Sequence, residues 1–278
     1  MIKLARVLIF GKRSIITKEF VNYCNTKSNQ IKIIDSSKII KNFKINENNI
    51  LRYIENYRPN IIINNISIKN LSFCEKNKKK SFTLNVKFSD VLNQITQKKK
   101  IYYIFFSTAS LFENYKYQLE SFDVKCKPKF KNYYSKTKLF AENKIKMNKK
   151  GIIIRTSNLY SNNTKNFIYK LCLDLKKNKK IKAKYNCYFT PVNTRDLVGF
   201  IITKIFNNLT YYCKKKIIHF SENNTQNRYE FFKKAEKYFN KKNLVSKDFS
   251  IKDSQINTSL KCNVRYNFLG FKYFLKKI

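Results

Sequence analysis

The chain has 278 residues, 43% hydrophobic and 15% aromatic, with four glycines and a formal net charge of +42. That length and apolar content can fill the core of one large domain or two small ones, and no internal repeat, Pro/Gly linker or low-complexity tail interrupts it. The charge comes from 51 lysines against 8 arginines scattered through every segment; a nucleic-acid surface clusters its charge and favours the guanidinium fork, so a specific nucleic-acid role is set aside.

In chain order, "RVLIF" (6–10) is a short continuous apolar run of the buried parallel-strand kind. A turn at Gly11 and the helix-like "ITKEFVNYC" follow it. "IKIID" (31–35) is a second strand, ending in Asp35; "ILRYIENYR" (50–58) has helical spacing and stops before Pro59. "NIIIN" (60–64) is a third strand, "FTLNVKFSDVLNQI" (82–95) a helix, and "IYYIFFS" (101–107) a fourth strand. A helix carrying Tyr134 comes next, then a fifth strand, "GIIIRTS" (151–157). Strand and helix alternating in this way predict an α/β fold with a doubly wound parallel sheet. The last 120 residues are less regular, with longer helices such as "RYEFFKKAEKYF" (228–239), and nothing marks a clean boundary.

Seven cysteines show no CxxC and no zinc spacing, and there is one histidine, His219. Reduced thiols and no metal site are expected. No apolar run approaches the length of a membrane span, and the N-terminal run is too short for a signal peptide. A soluble, cytoplasmic protein is the expectation.

Three places carry chemistry. A dinucleotide site needs backbone close to a pyrophosphate at a helix N-terminus, hence recurring glycines. Only Gly11 survives of a G-x-x-G-x-x-G pattern, with Ser14 and Thr17 in the other glycine positions and Asp35 placed to bind adenosine ribose hydroxyls. Those two side chains would crowd the pyrophosphate unless the loop reshapes. Ser107 and Thr108 end the fourth strand, where open parallel sheets place their ligands. Tyr134 and Lys138, one helical turn apart, follow 26 and 30 residues after Thr108. An ammonium beside a phenol favours tyrosinate, so Tyr134 is expected to have a lowered pKa and to pass a proton to a carbonyl held by Thr108.

Together these residues resemble the extended short-chain dehydrogenase/reductases, and within them the dTDP-4-dehydrorhamnose reductase-like sugar-nucleotide reductases. The likeness runs in one register through "RPNIIINNISI", "CEKNKKKSFTLNV", "FFSTASLFEN", "NYYSKTKLFAE", "IIIRTSNLYSNN", "YFTPVNTRDLVGFI" and "INTSLKCNVRYNFLGF". It implies an NAD(P)-binding Rossmann core over 1–160 and a mainly substrate-binding part over 161–278, some of whose segments return to the core. It implies reduction of a 4-keto group on a nucleotide-activated sugar by NADPH or NADH. Thr108, Tyr134 and Lys138 become the catalytic set: anchor, proton donor and pKa tuner. Gly11, Ser14, Ile15, Asp35, Asn65, Ser67 and Asn85 fall to the cofactor together with Tyr134 and Lys138. Thr108, Arg155, Asn158 and Thr190 fall to the substrate. Asp35 favours NADH, while Lys12, Arg13 and Lys38 favour NADPH. Two other readings of the same fold stand beside this one: a non-catalytic, cofactor-binding regulatory protein, suggested by the eroded glycine loop, and a sugar-nucleotide epimerase or dehydratase. The partner expected is a nucleotide sugar, with a homodimer the candidate assembly.

Overall fold

The computed structural model describes residues 5–24, 30–113, 115, 120–162, 166–222, 224–249 and 256–278. Six short apolar segments pair into one sheet: β1 (Arg6–Phe10), β2 (Gln30–Ile34), β3 (Ile61–Asn64), β4 (Tyr102–Thr108), β5 (Gly151–Thr156) and β6 (Ile217–His219). Their order is β6-β5-β4-β3-β1-β2. β1 runs parallel to both β2 and β3, with Val7 opposite Ile31 and Ile61, and β3 runs parallel to β4. Strands covered on both faces must be apolar on both, and Val7–Phe10, Ile61–Ile63 and Ile152–Ile154 are all buried. Helices α1 (Ile15–Cys24), α2 (Glu47–Tyr57), α3 (Phe88–Lys98) and α4 (Tyr133–Lys146) fill the connections. The apolar faces of α2, α3 and α4 join one core in which Phe10, Ile50, Ile54, Phe88, Leu92 and Ile145 meet, while α1 buries Ile16 and Phe20. Because β1 lies between β2 and β3, the sheet changes its direction of growth there, and ligands of open α/β sheets bind at the strand ends beside such a switch.

The stretch read as one helix over 82–95 is three pieces. A short helix (Lys78–Phe82) passes through a π-turn (Thr83–Lys87) into α3. A π-turn carries no residue signature of its own, and such turns recur at functional positions. This one holds the buried Asn85.

The chain divides into two compact units that interleave in sequence. The first contains residues 1–108, 131–155 and 198–218; the second contains 109–130, 156–197 and 219–278. The sequence offers no single cut because segment 198–218 returns to the first unit, leading into β6, while 109–130 belongs to the second. Within the second unit, α5 (Phe167–Lys176) and α6 (Arg228–Tyr238) pack on a core of Tyr160, Ile168, Cys172, Phe189, Phe231 and Ala235. A small sheet there pairs Cys187–Phe189 with Gln226–Asn227 and Ile256–Thr258. All seven cysteines are free thiols, and among the described residues no helix is long and apolar enough to cross a membrane.

Candidate active site

The end of β1 shows how the chain does without two glycines. Gly11 has φ +110°, and a Cβ there would lie 3.0 Å from the Asn65 carbonyl carbon. Only glycine allows this turn and this close approach of the β1 and β3 loops. Thr17 does not crowd the loop. It is buried, its hydroxyl donates to the Gly11 carbonyl at 2.7 Å, and it accepts from Asn65 Nδ2 at 2.8 Å. Ser14 is likewise turned to the helix, accepting from the Ile16 amide at 3.3 Å. The two substituted positions therefore fasten the turn: Thr17 ties β1, α1 and the loop after β3 together. Thr17→Val keeps the volume but leaves the Asn65 amide unpaired, a change worth about 1–3 kcal/mol. Dinucleotide affinity is expected to fall roughly 5- to 100-fold if the loop is the binding element, as read by fluorescence titration.

A cleft of about 430 Å³ opens at this place, lined by Gly11, Arg13, Ser14, Asp35, Asn65, Ser67 and Lys69 among others. Five residues assigned to the cofactor by sequence, Gly11, Ser14, Asp35, Asn65 and Ser67, are thus brought together. Four are not lining residues: Tyr134 and Lys138, both on α4, and Ile15 and Asn85. Ile15 is half-buried at the start of α1. Asn85 is fully buried and holds the loop from below. Its Oδ1 accepts from the Ile68 amide at 2.7 Å, and its Nδ2 donates to the Ile68 carbonyl at 3.0 Å and to Thr137 Oγ1 at 3.0 Å. Thr137 in turn donates to the Tyr134 carbonyl at 2.7 Å. Asn85 therefore joins the cofactor-side loop to the helix of Tyr134 and Lys138 rather than facing the cleft.

The donor set fits a dinucleotide. Arg13, Lys69 and the serine hydroxyls suit phosphate, and Asp35 suits a ribose or meets it at its rim. Asn65 Oδ1 is buried without a partner among the described residues. Asp35 accepts from the Ser37 amide at 3.0 Å and the Ser37 hydroxyl at 3.1 Å. Its pKa is lowered chiefly by that backbone bond, with Arg13 and Lys12 adding to it. Sequence reasoning missed Ser36, Ser37 and Lys69 as lining residues; a lysine four positions after Asn65 in a lysine-rich chain carries no signal.

Thr108 ends β4 nearly buried, and Tyr134 stands in the first turn of α4, which Asn132 caps by accepting from the Ser135 amide at 2.8 Å. The Tyr134 phenol and the Thr108 hydroxyl are hydrogen-bonded. Lys138 is buried at 4% exposure, its ammonium 3.9 Å from the centre of the Phe105 ring. Ser107, beside Thr108, is also buried, and its hydroxyl has no partner among the described residues.

The electrostatics reverse the sequence expectation. Burial pushes the Tyr134 phenol up to about 12; the Thr108 hydrogen bond opposes this, and no lysine relieves it. Burial also brings Lys138 down to about 7, the like charge of Lys69 lowers it further, and the Glu142 carboxylate opposes both. Desolvation disfavours both charged forms, so Tyr134 keeps its proton and Lys138 is poised near neutrality.

Of the residues assigned to the substrate, Thr108 and Arg155 belong to the first unit. Of these two, only Thr108 stands with the Tyr134–Lys138 pair. Arg155 lies inside the first unit at 2% exposure, its Nε 2.9 Å from Glu142 Oε1 and its second terminal nitrogen 2.7 Å from Oε2. That two-pronged ion pair ties β5 to α4, so the guanidinium is not a substrate group. Asn158 and Thr190 belong to the second unit. Thr190 is fully buried and accepts from the Leu260 amide at 3.0 Å, a structural bond, while Asn158 is half-buried.

A family model described as the RmlD substrate binding domain matches residues 5–261. No curated protein matches the sequence at a significant level. Among solved structures, the fold is similar to a dTDP-4-dehydrorhamnose reductase from Bacillus anthracis in complex with NADP. The TM-score is 0.84 at 20% identity, covering 99% of this chain and 98% of that one. It is also similar to the enzyme of that name from Yersinia enterocolitica, with a TM-score of 0.81 at 15% identity over 98% and 99% of the two chains. A hypothetical dTDP-4-dehydrorhamnose reductase from Sulfolobus tokodaii gives a TM-score of 0.79 at 22% identity over 98% of each chain. At these identities the structural likeness is one of fold.

Proposed function

We infer the activity from one premise: the chain belongs to the RmlD substrate binding domain family. It reduces a 4-keto group on a nucleotide-activated sugar with NADPH or NADH. The observation that carries this reading is Tyr134 hydrogen-bonded to Thr108, with the buried Lys138 one turn along the same helix.

Gly11, Arg13, Ser14, Asp35, Asn65, Ser67 and Lys69 would hold the dinucleotide, whose nicotinamide supplies a hydride when bound. Thr108 presents its hydroxyl to the substrate carbonyl oxygen. Tyr134 donates its phenolic proton to that oxygen as negative charge develops there. A phenol raised to about 12 holds the proton until the oxygen needs it. The tyrosinate left behind is steadied by Lys138 when protonated. Burial of Lys138 keeps water from its ammonium and strengthens these interactions.

The decisive assay is oxidation of NADPH or NADH by the purified protein with a dTDP-4-keto sugar, beside a dinucleotide titration. Tight dinucleotide binding without turnover would move the chain to the non-catalytic reading. A homodimer and a cytoplasmic location belong to the same proposal; sedimentation equilibrium reads the first.

The pH dependence has a definite sign. Lys138 is charged below about 7 and neutral above it, and the charged form is the useful one. The value of kcat/KM for the sugar nucleotide therefore falls as pH rises through that region, tenfold per unit once the ammonium is gone. Lys69→Met removes the like charge that depresses Lys138, so the falling limb moves to higher pH. A limb that Lys69→Met leaves in place would remove Lys138 as its origin.

A further inference from the structure

In the second unit, two carboxyl groups meet at one turn, the entry to the C-terminal helix Gly270–Leu275. Asp196 is satisfied there: its Oδ1 accepts from the Leu269 amide at 2.9 Å and its Oδ2 from the Gly270 amide at 3.1 Å. Glu222 is not. Its carboxyl lies against Gly270, where φ is +67° and a Cβ would stand 3.5 Å from Oε1 and 3.6 Å from Oε2. Glu222 Oε1 is buried and completes no hydrogen bond among the described residues. The Tyr160 phenol that faces it is fully buried and completes none either. The helix beyond the turn closes the unit's core. Phe274 and Leu275 are 1% and 4% exposed, and the Phe274 ring meets that of Tyr160 edge-on at 4.8 Å.

Two carboxylates set against one turn repel, and burial adds to the cost of charging the second. Burial and the Asp196 charge push the Glu222 carboxyl up to about 7, opposed by Lys234 and Tyr160. Burial also raises Asp196, opposed by the two amides and by Arg195. Tyr160 is pushed well up by burial, by Glu222 and Asp196, and by the Cys172 thiol. We propose that Glu222 is a proton-operated latch on the C-terminal helix: protonated, it lets the turn seat on Asp196; ionised, it sets two carboxylates against each other and the segment 269–278 opens more often. Opening returns Glu222 to water and to its ordinary range, so the closed form holds the proton more tightly. Closure is therefore firmest below that range, weakens as pH rises towards about 7, and is level above it. Every group named belongs to the second unit, so the latch stands apart from the reductase reading.

The test is amide hydrogen exchange of the full chain between about pH 5 and 8, read at Leu269 and Gly270 and corrected for the chemical pH dependence of exchange. In wild type, opening is expected to become about 10- to 100-fold more frequent across that range, at tenfold per unit of pKa shift and less because Glu222 is only half-buried. Glu222→Gln keeps the shape of the group without its proton equilibrium, and its opening should not change with pH. Lys234→Met removes a cation that holds the Glu222 value down, so the step should move to higher pH. In Glu222→Gln the falling limb of kcat/KM assigned to Lys138 should stay in place, which separates the latch from the reaction. The same pH step in Glu222→Gln, or no step in wild type, overturns the proposal. A wild-type step abolished by added potassium or magnesium also overturns it, assigning the two carboxylates to a cation instead. So does a Glu222→Gln protein that is open at every pH, because the carboxyl would then be packing rather than a switch.

Discussion

Tyr134→Phe is expected to give a folded protein that binds dinucleotide with wild-type affinity and reduces a 4-keto sugar about 10²- to 10⁴-fold more slowly, the usual worth of a positioned general acid. The substitution removes one oxygen from a half-buried ring and leaves the Asn132 cap, the helix and its packing in place. It also frees Thr108 from its phenol partner. Part of the loss therefore comes from a less well oriented anchor, and Thr108→Val should cost less than Tyr134→Phe. The measurement is kcat in steady-state turnover, paired with dinucleotide titration and a thermal melt. A kcat within threefold of wild type would show that the proton comes from elsewhere, and Ser107, buried next to Thr108 with an unpartnered hydroxyl, would then be the first alternative donor.

Much of this site could be read from the chain, for a physical reason. Strands buried on both faces need apolar residues throughout, so β1 appears in the sequence at its structural limits, 6–10, and β3, β4 and β5 within a residue or two. The turn after β1 and the pair on α4 are local, fixed by spacing along one element, and spacing is visible in a sequence. The misjudged residues depend on which way a side chain faces. Register along β5 places Arg155 correctly but cannot say that it points inward to Glu142, thirteen residues earlier on α4. Every residue of that strand is buried, so no alternation reveals the direction.

Asn85 was misread for a similar reason, since the π-turn that buries its amide leaves no pattern in residue type. Thr17 looked like an obstruction because glycine is the familiar solution there. The hydroxyl's two bonds turn the same residue into a fastening. The lowered phenol pKa failed because spacing suggests proximity but not desolvation, and burial outweighs charge at both Tyr134 and Lys138.

The buried pair of Arg155 and Glu142 carries the largest expected effect on stability. Both side chains are almost without solvent contact, at 2% and 0%, and their two hydrogen bonds match fork to fork. Removing one partner strands a charge in the interior, so Arg155→Met is expected to cost about 3–5 kcal/mol. For a chain of this size that is a fall in melting temperature of roughly 6–20 °C. Replacing both, Arg155→Met with Glu142→Leu, removes the stranded charge and should recover most of the loss, since apolar pairs of similar volume often equal buried ion pairs. Denaturant unfolding of the two single variants and the double variant checks this; a double variant as unstable as the worse single one would mean that packing around α4, rather than the charges, sets the cost. The double variant also separates stability from chemistry. The Glu142 carboxylate holds the Lys138 pKa up against burial and Lys69, so its removal should move the falling limb of kcat/KM to lower pH even where stability returns. The ion pair that sequence register suggested for the substrate would then act on the reaction after all, through the charge state of Lys138.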